Sequence, residues 1–355
     1  SMNVLMWFRQ DLRSFDHATL CFALESGAVR PVYIFVPPVW ARAAASARQV
    51  HFICESIEDL RSQLGVPVLS RLGPTQEVLA RLCTRYAITQ IVTEAPPPAA
   101  IADWAAAAGI AWCCVPQPLT GEPLAAPALN CPPDLVANPL PLAPMLRLGA
   151  DACAHRQRGG STQAMDLLDT FLTSRGESYH RAQSQPLASE RAASRLSPHL
   201  THGTISLRSI SAAITARLAE RPTGRWPSAL HGFQAQLSRR PDPQATCLPQ
   251  GCLASDPRLE FWLAGETGLP FVDALMRYLA ATGWLNAHLR GLVLSLAVHQ
   301  LGLDWQAASA ALARRLTDYD PAIFWPQAKK LAGQTDETPR LFNPIKQGFD
   351  LDPNG

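Results

Sequence analysis

The first 115 residues alternate short apolar runs with stretches of helical spacing, and this alternation constrains the fold more than any other feature. The apolar runs are strand-like and lie at 3–8, 31–36, 66–70, 90–94 and 111–115. Between them, stretches such as 48–64 place apolar residues at the intervals of an amphipathic helix. Strands that alternate with helices predict an α/β domain built on a doubly wound parallel sheet.

The character of the chain changes after this point. Residues 116–144 are rich in proline and poor in charge, which is typical of a linker that lies over a surface. Helical spacing then dominates the segments 161–175, 204–220, 269–283 and 285–302. We therefore predict an α/β domain over residues 1–115, a linker over 116–160 and an all-α domain over 161–355.

Composition is that of a globular protein. The chain is 47% hydrophobic and 17% charged, with a net charge of +2, which allows a large buried core. Its nine cysteines form no Cys-x-x-Cys pair, so we expect free thiols and no bound metal. The apolar runs are too short to cross a membrane, and the first residues lack a basic signal region. We expect a cytoplasmic, monomeric protein with no membrane partner.

The stretch SRLSPHLTHG (194–203) combines a helix start with a cation. Ser197 suits the N-cap position, Pro198 suits the first helical position, and Arg195 supplies a planar fork of donors. Such a start favours an anion such as a phosphate. Taken alone, an ordinary capped helix beside a surface arginine is the commoner explanation.

Five segments, taken in order, resemble signature segments of the DNA photolyase and cryptochrome family. They lie at 7–20, 178–206, 265–290, 302–320 and 332–355, so the resemblance covers nearly the whole chain. It implies an N-terminal α/β domain that can hold an antenna chromophore and a helical C-terminal domain that binds FAD. It also implies UV-damaged DNA as the partner. Residues 93–109 lack a convincing antenna-binding set, so we expect an empty antenna site.

The resemblance assigns residues to the cofactor. Those implied to hold the pyrophosphate are Tyr179, Ser194, Arg195, Leu196 and Ser197. Trp226 would flank the flavin, and Arg290 would pair with Asp318. The remaining cofactor residues implied by TDYD (317–320), near the ribose and the ring, are Asp318, Tyr319 and Asp320.

An electron relay to the flavin is implied only in part. Trp305 matches its middle member, Trp325 is a displaced candidate for the flavin-proximal member, and Cys252 occupies the outer position. Tyr319 and Tyr278 are alternatives for the route. We expect two further tryptophans, Trp262 and Trp284, to be ordinary core residues.

Several positions depart from the family pattern where the lesion would be contacted. Ala229 and Gly232 stand where a glutamate and a tryptophan are usual, and Ala287–His288 replace an Asn-Arg pair. Phe324 aligns with the asparagine that usually faces flavin N5. A lesion pocket would therefore have to be rebuilt from other residues, and the candidates for this catalytic set are Asn286, His288, Trp325 and Gln327.

Two functions remain open. The first is an enzyme, a deoxyribodipyrimidine photo-lyase that repairs cyclobutane pyrimidine dimers in DNA by light-driven electron transfer from reduced FAD. The second is a cryptochrome-like blue-light sensor without repair activity, which the altered contacts favour. Three basic pairs favour the enzyme, although they also fit solvated helix surfaces: Arg239–Arg240, Arg314–Arg315 and Lys329–Lys330.

Overall fold

The apolar run at 3–8 forms the central strand of a five-stranded parallel sheet in the computed structural model, which describes residues 2–240, 248 and 253–335. The strands are β1 (Asn3–Phe8), β2 (Ala28–Phe35), β3 (Leu69–Leu72), β4 (Gln90–Thr93) and β5 (Ala111–Cys114). Their spatial order is β3-β2-β1-β4-β5, with every pair parallel. The order reverses beside β1, as in doubly wound folds.

Side chains of β1 are buried on both faces of the sheet. Met6 and Phe8 belong to one apolar cluster, whereas Leu5 and Trp7 belong to another on the opposite face. Five helices accompany the strands: α1 (Ala18–Ser26), α2 (Pro37–Trp40), α3 (Ala47–Leu64), α4 (Thr75–Arg85) and α5 (Ala99–Ala107). Two covered faces explain why the strands are continuous apolar runs.

The third strand begins three residues later and ends two residues later than its apolar run predicts. The run at 66–70 begins with Val66 and Val68, which are buried but precede the ladder. Pairing with β2 begins only at Leu69, opposite Val32. The prediction of a strand at 66–70 is therefore wrong at both ends, because burial and strand pairing are separate properties.

Beyond residue 160, the regular elements of the described chain are all helical. They are α6 (Ser161–Thr173), α7 (Tyr179–Ser184), α8 (Pro186–Ala192), α9 (Ser197–His202), α10 (Leu207–Ala219), α11 (Trp226–Ser238), α12 (Pro257–Ala264), α13 (Pro270–Thr282), α14 (Ala287–Ser295), α15 (Trp305–Arg314) and α16 (Pro321–Leu331). A π-helical turn, Leu296–Gln300, follows α14, and a 3₁₀ turn, Arg175–Ser178, precedes α7. The predicted fold class, a doubly wound sheet followed by helices, is confirmed. None of the described helices is both long and apolar enough to traverse a bilayer.

Helix α9 begins one residue earlier than predicted. Leu196 is its N-cap residue and Ser197 its first helical residue, and the cap has no side-chain hydrogen bond. Arg195 immediately before it has a left-handed backbone, with φ 62°. The chain therefore turns at Arg195, so the prediction of Ser197 as the N-cap is wrong.

The irregular segment between β5 and α6 packs against the sheet and then against α3. Near its middle, the Asn138 side chain accepts a hydrogen bond from Ser70 N at 2.9 Å, and Asn138 O accepts one from Arg61 Nη2 at 2.9 Å. At its end, Asp59 of α3 accepts a hydrogen bond from Ser161 N at 2.9 Å. The segment is thus held along its length.

Helix α3 also joins the sheet region to the helical region. Arg48, fully buried, pairs with Asp151 at 2.7 Å and donates to Arg315 O at 3.0 Å and Leu279 O at 3.3 Å. Gln49 Nε2 donates to Ala313 O at 3.0 Å. These polar contacts fix the α15 end against α3, since a buried donor left unpaired is costly.

Candidate functional site

A cavity of about 730 Å³ lies in the helical region, among α9, α11, α14 and α16. Its volume is within the range of small-molecule and cofactor sites. Twelve of the residues predicted for cofactor or substrate line it: Tyr179, Ser194, Arg195, Leu196, Ser197, Asn286, His288, Arg290, Asp318, Tyr319, Asp320 and Gln327. The fold therefore brings together residues from four distant segments of the chain.

Arg290 and Asp318 form a two-pronged ion pair in the cavity wall. Arg290 Nη1 and Nη2 donate to the two carboxylate oxygens of Asp318 at 2.9 and 2.7 Å, and Nε donates to Leu285 O at 2.6 Å. Burial alone would raise the pKa of Asp318, but the charge and hydrogen bonds of Arg290 outweigh burial and lower it. The site thus contains a fixed cation whose carboxylate partner is favoured in its ionised form.

Asp320 differs from Asp318 although both line the cavity. Its carboxylate accepts the Ala322 N–H at 3.1 Å and so caps α16. Burial raises the pKa of Asp320, and the positive charge of Arg240 opposes that rise only in part. Arg240 also lines the cavity, and burial lowers its pKa.

Arg195 is placed by unusual contacts. Its guanidinium lies over the Trp284 ring, 4.2 Å from the centroid, and Nη2 donates to Gln157 Oε1 at 3.3 Å. Nε is buried and has no hydrogen-bond partner among the described residues. Trp284 is buried, as expected of a core residue, and it also lines the cavity. An arginine with a donor to spare in a cavity wall suits an anionic ligand.

Asn286 lines the cavity, yet its amide is already used. Oδ1 accepts the Leu289 N–H at 2.9 Å and caps α14, while Nδ2 donates to Ala182 O at 3.2 Å. His288 and Gln327 also line the cavity, and the Gln327 side chain is exposed to solvent. The Asn286 amide is therefore committed to the protein, while Gln327 is an exposed member of the same wall.

Two predicted residues do not line the cavity. Trp226 begins α11 and is buried in a cluster with Phe233, with the Arg217 guanidinium 4.8 Å from its ring. Trp325 is buried behind Tyr319, to whose hydroxyl its Nε1 donates at 2.8 Å. Each ring is packed in an apolar cluster, and the roles predicted for Trp226 beside a ligand and for Trp325 at a substrate stay predictions.

A row of aromatic rings leads from the protein surface to the cavity wall. Trp305, half-buried, lies 6.3 Å from Trp325, ring centroid to ring centroid. Phe324 lies 5.4 Å from Trp325 and 5.6 Å from Tyr319, which lines the cavity. Tyr278 lies apart from this row and donates to Glu190 at 2.9 Å. Cys252 and most of the segment 332–355 are outside the described residues.

Two of the positions that depart from the family pattern, Ala229 and Gly232, are closed to a ligand, whereas Ala287, His288 and Phe324 line the cavity. Ala229 is buried in an apolar cluster. A Cβ built on Gly232 would lie 3.1 Å from the His180 imidazole, so His180 occupies the space that a side chain there would need. Neither Ala229 nor Gly232 lines the cavity. On the side of α11, the cavity wall is formed by Phe233, Gln236, Leu237, Arg239 and Arg240.

Sequence reasoning missed several lining residues. Phe233 and Gln236 carry no motif, and only their helical position relative to Arg239 and Arg240 could have suggested them. The Arg239–Arg240 pair was noted as a positive charge in the sequence, but nothing there indicated that it lines the cavity. The described residues contain no group of three His, Cys, Asp or Glu that could hold a metal ion.

Comparisons with known proteins agree with this architecture. The family model described as DNA photolyase matches residues 4–109, and that described as FAD binding domain of DNA photolyase matches residues 221–355. Cryptochrome DASH of Gloeobacter violaceus is 28% identical, covering 99% of this chain and 84% of its own length. Deoxyribodipyrimidine photo-lyase of Halobacterium salinarum is 27% identical, covering 99% and 87%. A class III photolyase structure from Agrobacterium tumefaciens superposes with a TM-score of 0.81 at 23% identity, covering 100% of this chain and 85% of that one, a likeness of fold.

Proposed function

The chain belongs to the DNA photolyase and cryptochrome family, and on that premise we propose that its cavity binds FAD and that the flavoprotein repairs cyclobutane pyrimidine dimers in DNA under light. The observation that carries the proposal is the Arg290–Asp318 pair in the wall of a cavity of about 730 Å³. When bound, FAD supplies a group that absorbs light and donates one electron.

The donor set of the cavity fits FAD. Arg195, with its unpartnered Nε, would bind the pyrophosphate together with Ser194, Ser197 and Tyr179. Arg290 would stabilise negative charge on the reduced ring, since its donors are fixed before the ligand arrives. Asp318 keeps Arg290 in place and prevents an uncompensated buried cation.

Basic residues at one side of the cavity support DNA as the substrate. Arg239 and Arg240 directly follow α11 and line the cavity with Gln236 and His288. Arginines there would bind backbone phosphates, while a dimer that has already lost stacking and pairing enters the cavity at a lower cost than normal bases. His288 and Gln327 are the residues that we propose to contact the lesion, with Asn286 shaping the wall.

The aromatic row supports electron entry from the surface. We propose that Trp305 and Trp325 carry electrons towards the cavity, with Tyr319 as the last ring. Two contacts support this order. The ring centroids of the two tryptophans are 6.3 Å apart, and Trp325 is hydrogen-bonded directly to Tyr319. Tyr278 is less suited, because it lies outside the row.

A repair assay tests the proposal. Binding to dimer-containing and intact strands is measured at two salt concentrations, and the reduced protein is then illuminated with the dimer strand and assayed for restored thymines. We expect tighter binding to the damaged strand, steep loss of affinity with salt, and restored thymines.

Arg240→Gln should weaken DNA binding, whereas Arg81→Gln, at an exposed position on α4, should not. Equal binding to both strands with no restored thymines would refute repair.

Three observations favour the second candidate, a cryptochrome-like sensor. The Asn286 amide is committed to α14 and Ala182, Trp325 lies outside the cavity, and Ala229 is buried. Few groups therefore remain to hold a lesion. A protein that binds FAD and is reduced in light, yet restores no thymines, would support the sensor.

A further inference from the structure

Gln157 lies outside the cavity but forms two hydrogen bonds to Arg195, which lines it. Its Nε2 donates to Arg195 O at 2.7 Å, and its Oε1 accepts from Arg195 Nη2 at 3.3 Å. One amide thus fixes the backbone and the guanidinium of the same arginine. Arg195 needs such support, since its backbone is left-handed, a conformation that non-glycine residues adopt at a cost.

Gln157 is itself anchored to the sheet region. Its neighbour Arg156 pairs with Glu55 of α3 at 2.7 Å and donates to Gln157 O at 2.8 Å. Gly159 N donates to the same Glu55 carboxylate at 3.0 Å. A continuous set of polar contacts therefore runs from α3 through residues 156–159 to Arg195.

We infer that Gln157 is a positioning residue for an anionic ligand, acting through Arg195 and never touching the ligand itself. The inference rests on the proposed function, which places the FAD pyrophosphate at Arg195. Gln157 holds the guanidinium over Trp284 while leaving Nε without a partner among the described residues. An arginine already in position loses less conformational freedom when the anion binds, and so binds it more tightly.

Two substitutions separate the parts of this role. Gln157→Met keeps the length of the side chain but removes both hydrogen bonds to Arg195. Gln157→Glu keeps the acceptor, loses the donor, and sets a carboxylate against the guanidinium, which offsets its charge. Gln163, exposed on α6, offers the matched controls Gln163→Met and Gln163→Glu.

The measurement is the dissociation constant of FAD, titrated by flavin fluorescence into flavin-depleted protein. We expect about tenfold weaker binding for Gln157→Met and about thirtyfold for Gln157→Glu, with both Gln163 variants unchanged. Thermal unfolding of each flavin-depleted variant confirms that it is folded at the temperature of the titration.

A double-mutant cycle shows whether Gln157 acts through Arg195. In an Arg195→Ala background, Gln157→Met should weaken FAD binding less than about threefold, because the group it positions has gone. The same tenfold loss in both backgrounds would overturn the inference, since Gln157 would then act on the cavity by another route. A normal FAD affinity for Arg195→Ala would overturn it and leave the cofactor proposal standing, whereas absence of FAD binding by the unsubstituted protein would remove both.

Discussion

At the scale of single residues, Asp318 has one strong partner, the guanidinium of Arg290. Asp318→Ala removes both carboxylate oxygens and leaves Arg290 without its counter-charge, a loss of about 2–4 kcal/mol. We expect folded protein with little bound FAD, measured as the flavin absorbance of purified protein. Asp256→Ala is the matched control, because Asp256 pairs with Arg258 at the surface. Full flavin content in Asp318→Ala would exclude the Arg290–Asp318 pair as a flavin contact.

The relay is also a matter of single residues. Trp305→Phe and Trp325→Phe should each slow photoreduction by an external reductant several-fold while flavin content stays constant, because phenylalanine packs similarly but is much harder to oxidise. Tyr319→Phe tests the last ring separately. Trp104→Phe on α5 serves as the control, since it lies in the sheet region. Unchanged photoreduction in Trp305→Phe would move the route elsewhere, for instance to Tyr278.

The family resemblance predicted part of this site, and the sequence missed the rest for a physical reason. Arg290 and Asp318 were predicted as a pair and are hydrogen-bonded. The sequence did not indicate that Trp284 lines the cavity whereas Trp226 does not, because a tryptophan in a helical region signals burial without saying which side of the helix faces a cavity. Gln157 gave no signal at all, since its contact depends on the left-handed turn at Arg195.

At the scale of elements, the end of α9 is set against the loop after β1. Gly203 ends the helix with φ 68°, and a Cβ there would overlap the backbone carbonyl of Gln10. Gly203→Ala should therefore lower the free energy of unfolding by about 2–4 kcal/mol, from backbone strain and a clash together. Gly65→Ala is the control: Gly65 has nearly the same φ, 66°, but open space around it, so it should lose only about 1 kcal/mol. Urea unfolding measures both, and equal losses would show that the contact with Gln10 is unimportant.

The elements themselves were largely predictable. Five apolar runs produced five strands, and the long amphipathic segment at 48–64 is the helix α3, Ala47–Leu64. Boundaries were less predictable where tertiary contacts decide them. Strand β3 begins at Leu69 because that is the first residue that pairs with β2, opposite Val32. Helix α9 begins directly after the left-handed turn at Arg195.

At the scale of the whole molecule, two buried histidines lie where α9 meets α3. The Phe52 ring lies 5.1 Å from His199 and 5.2 Å from His202. Burial lowers the pKa of His199 to about 3 and that of His202 to about 4, so both are neutral in the folded protein. In the unfolded chain they bind protons below about pH 6.5.

Because the unfolded chain binds more protons than the folded protein in this pH range, acid lowers the free energy of unfolding. The stability that the neutral histidines contribute is complete above pH 6.5 and is lost as the pH falls from 6.5 towards 4, by about 2 kcal/mol for each histidine at pH 5. We expect the difference in unfolding free energy between pH 7 and pH 5 to shrink by about 2 kcal/mol in His202→Asn. His51→Gln, at an exposed position on α3, should leave that difference unchanged. The same pH difference in His202→Asn as in the original protein would contradict the assignment.

The buried Arg48 has a consequence for the order of events during synthesis. Its partners include Arg315 O, 267 residues further along the chain. At about 5–20 residues per second, a ribosome needs about 13–53 s to make that stretch. Once Cys114 has been made, the sheet region is complete in sequence, yet its most deeply buried guanidinium still lacks the carbonyl groups that it will donate to. Until Leu279 and Arg315 have been made, these two hydrogen bonds cannot form and the Arg48 guanidinium has to donate to water instead, since a buried donor left unpaired is costly.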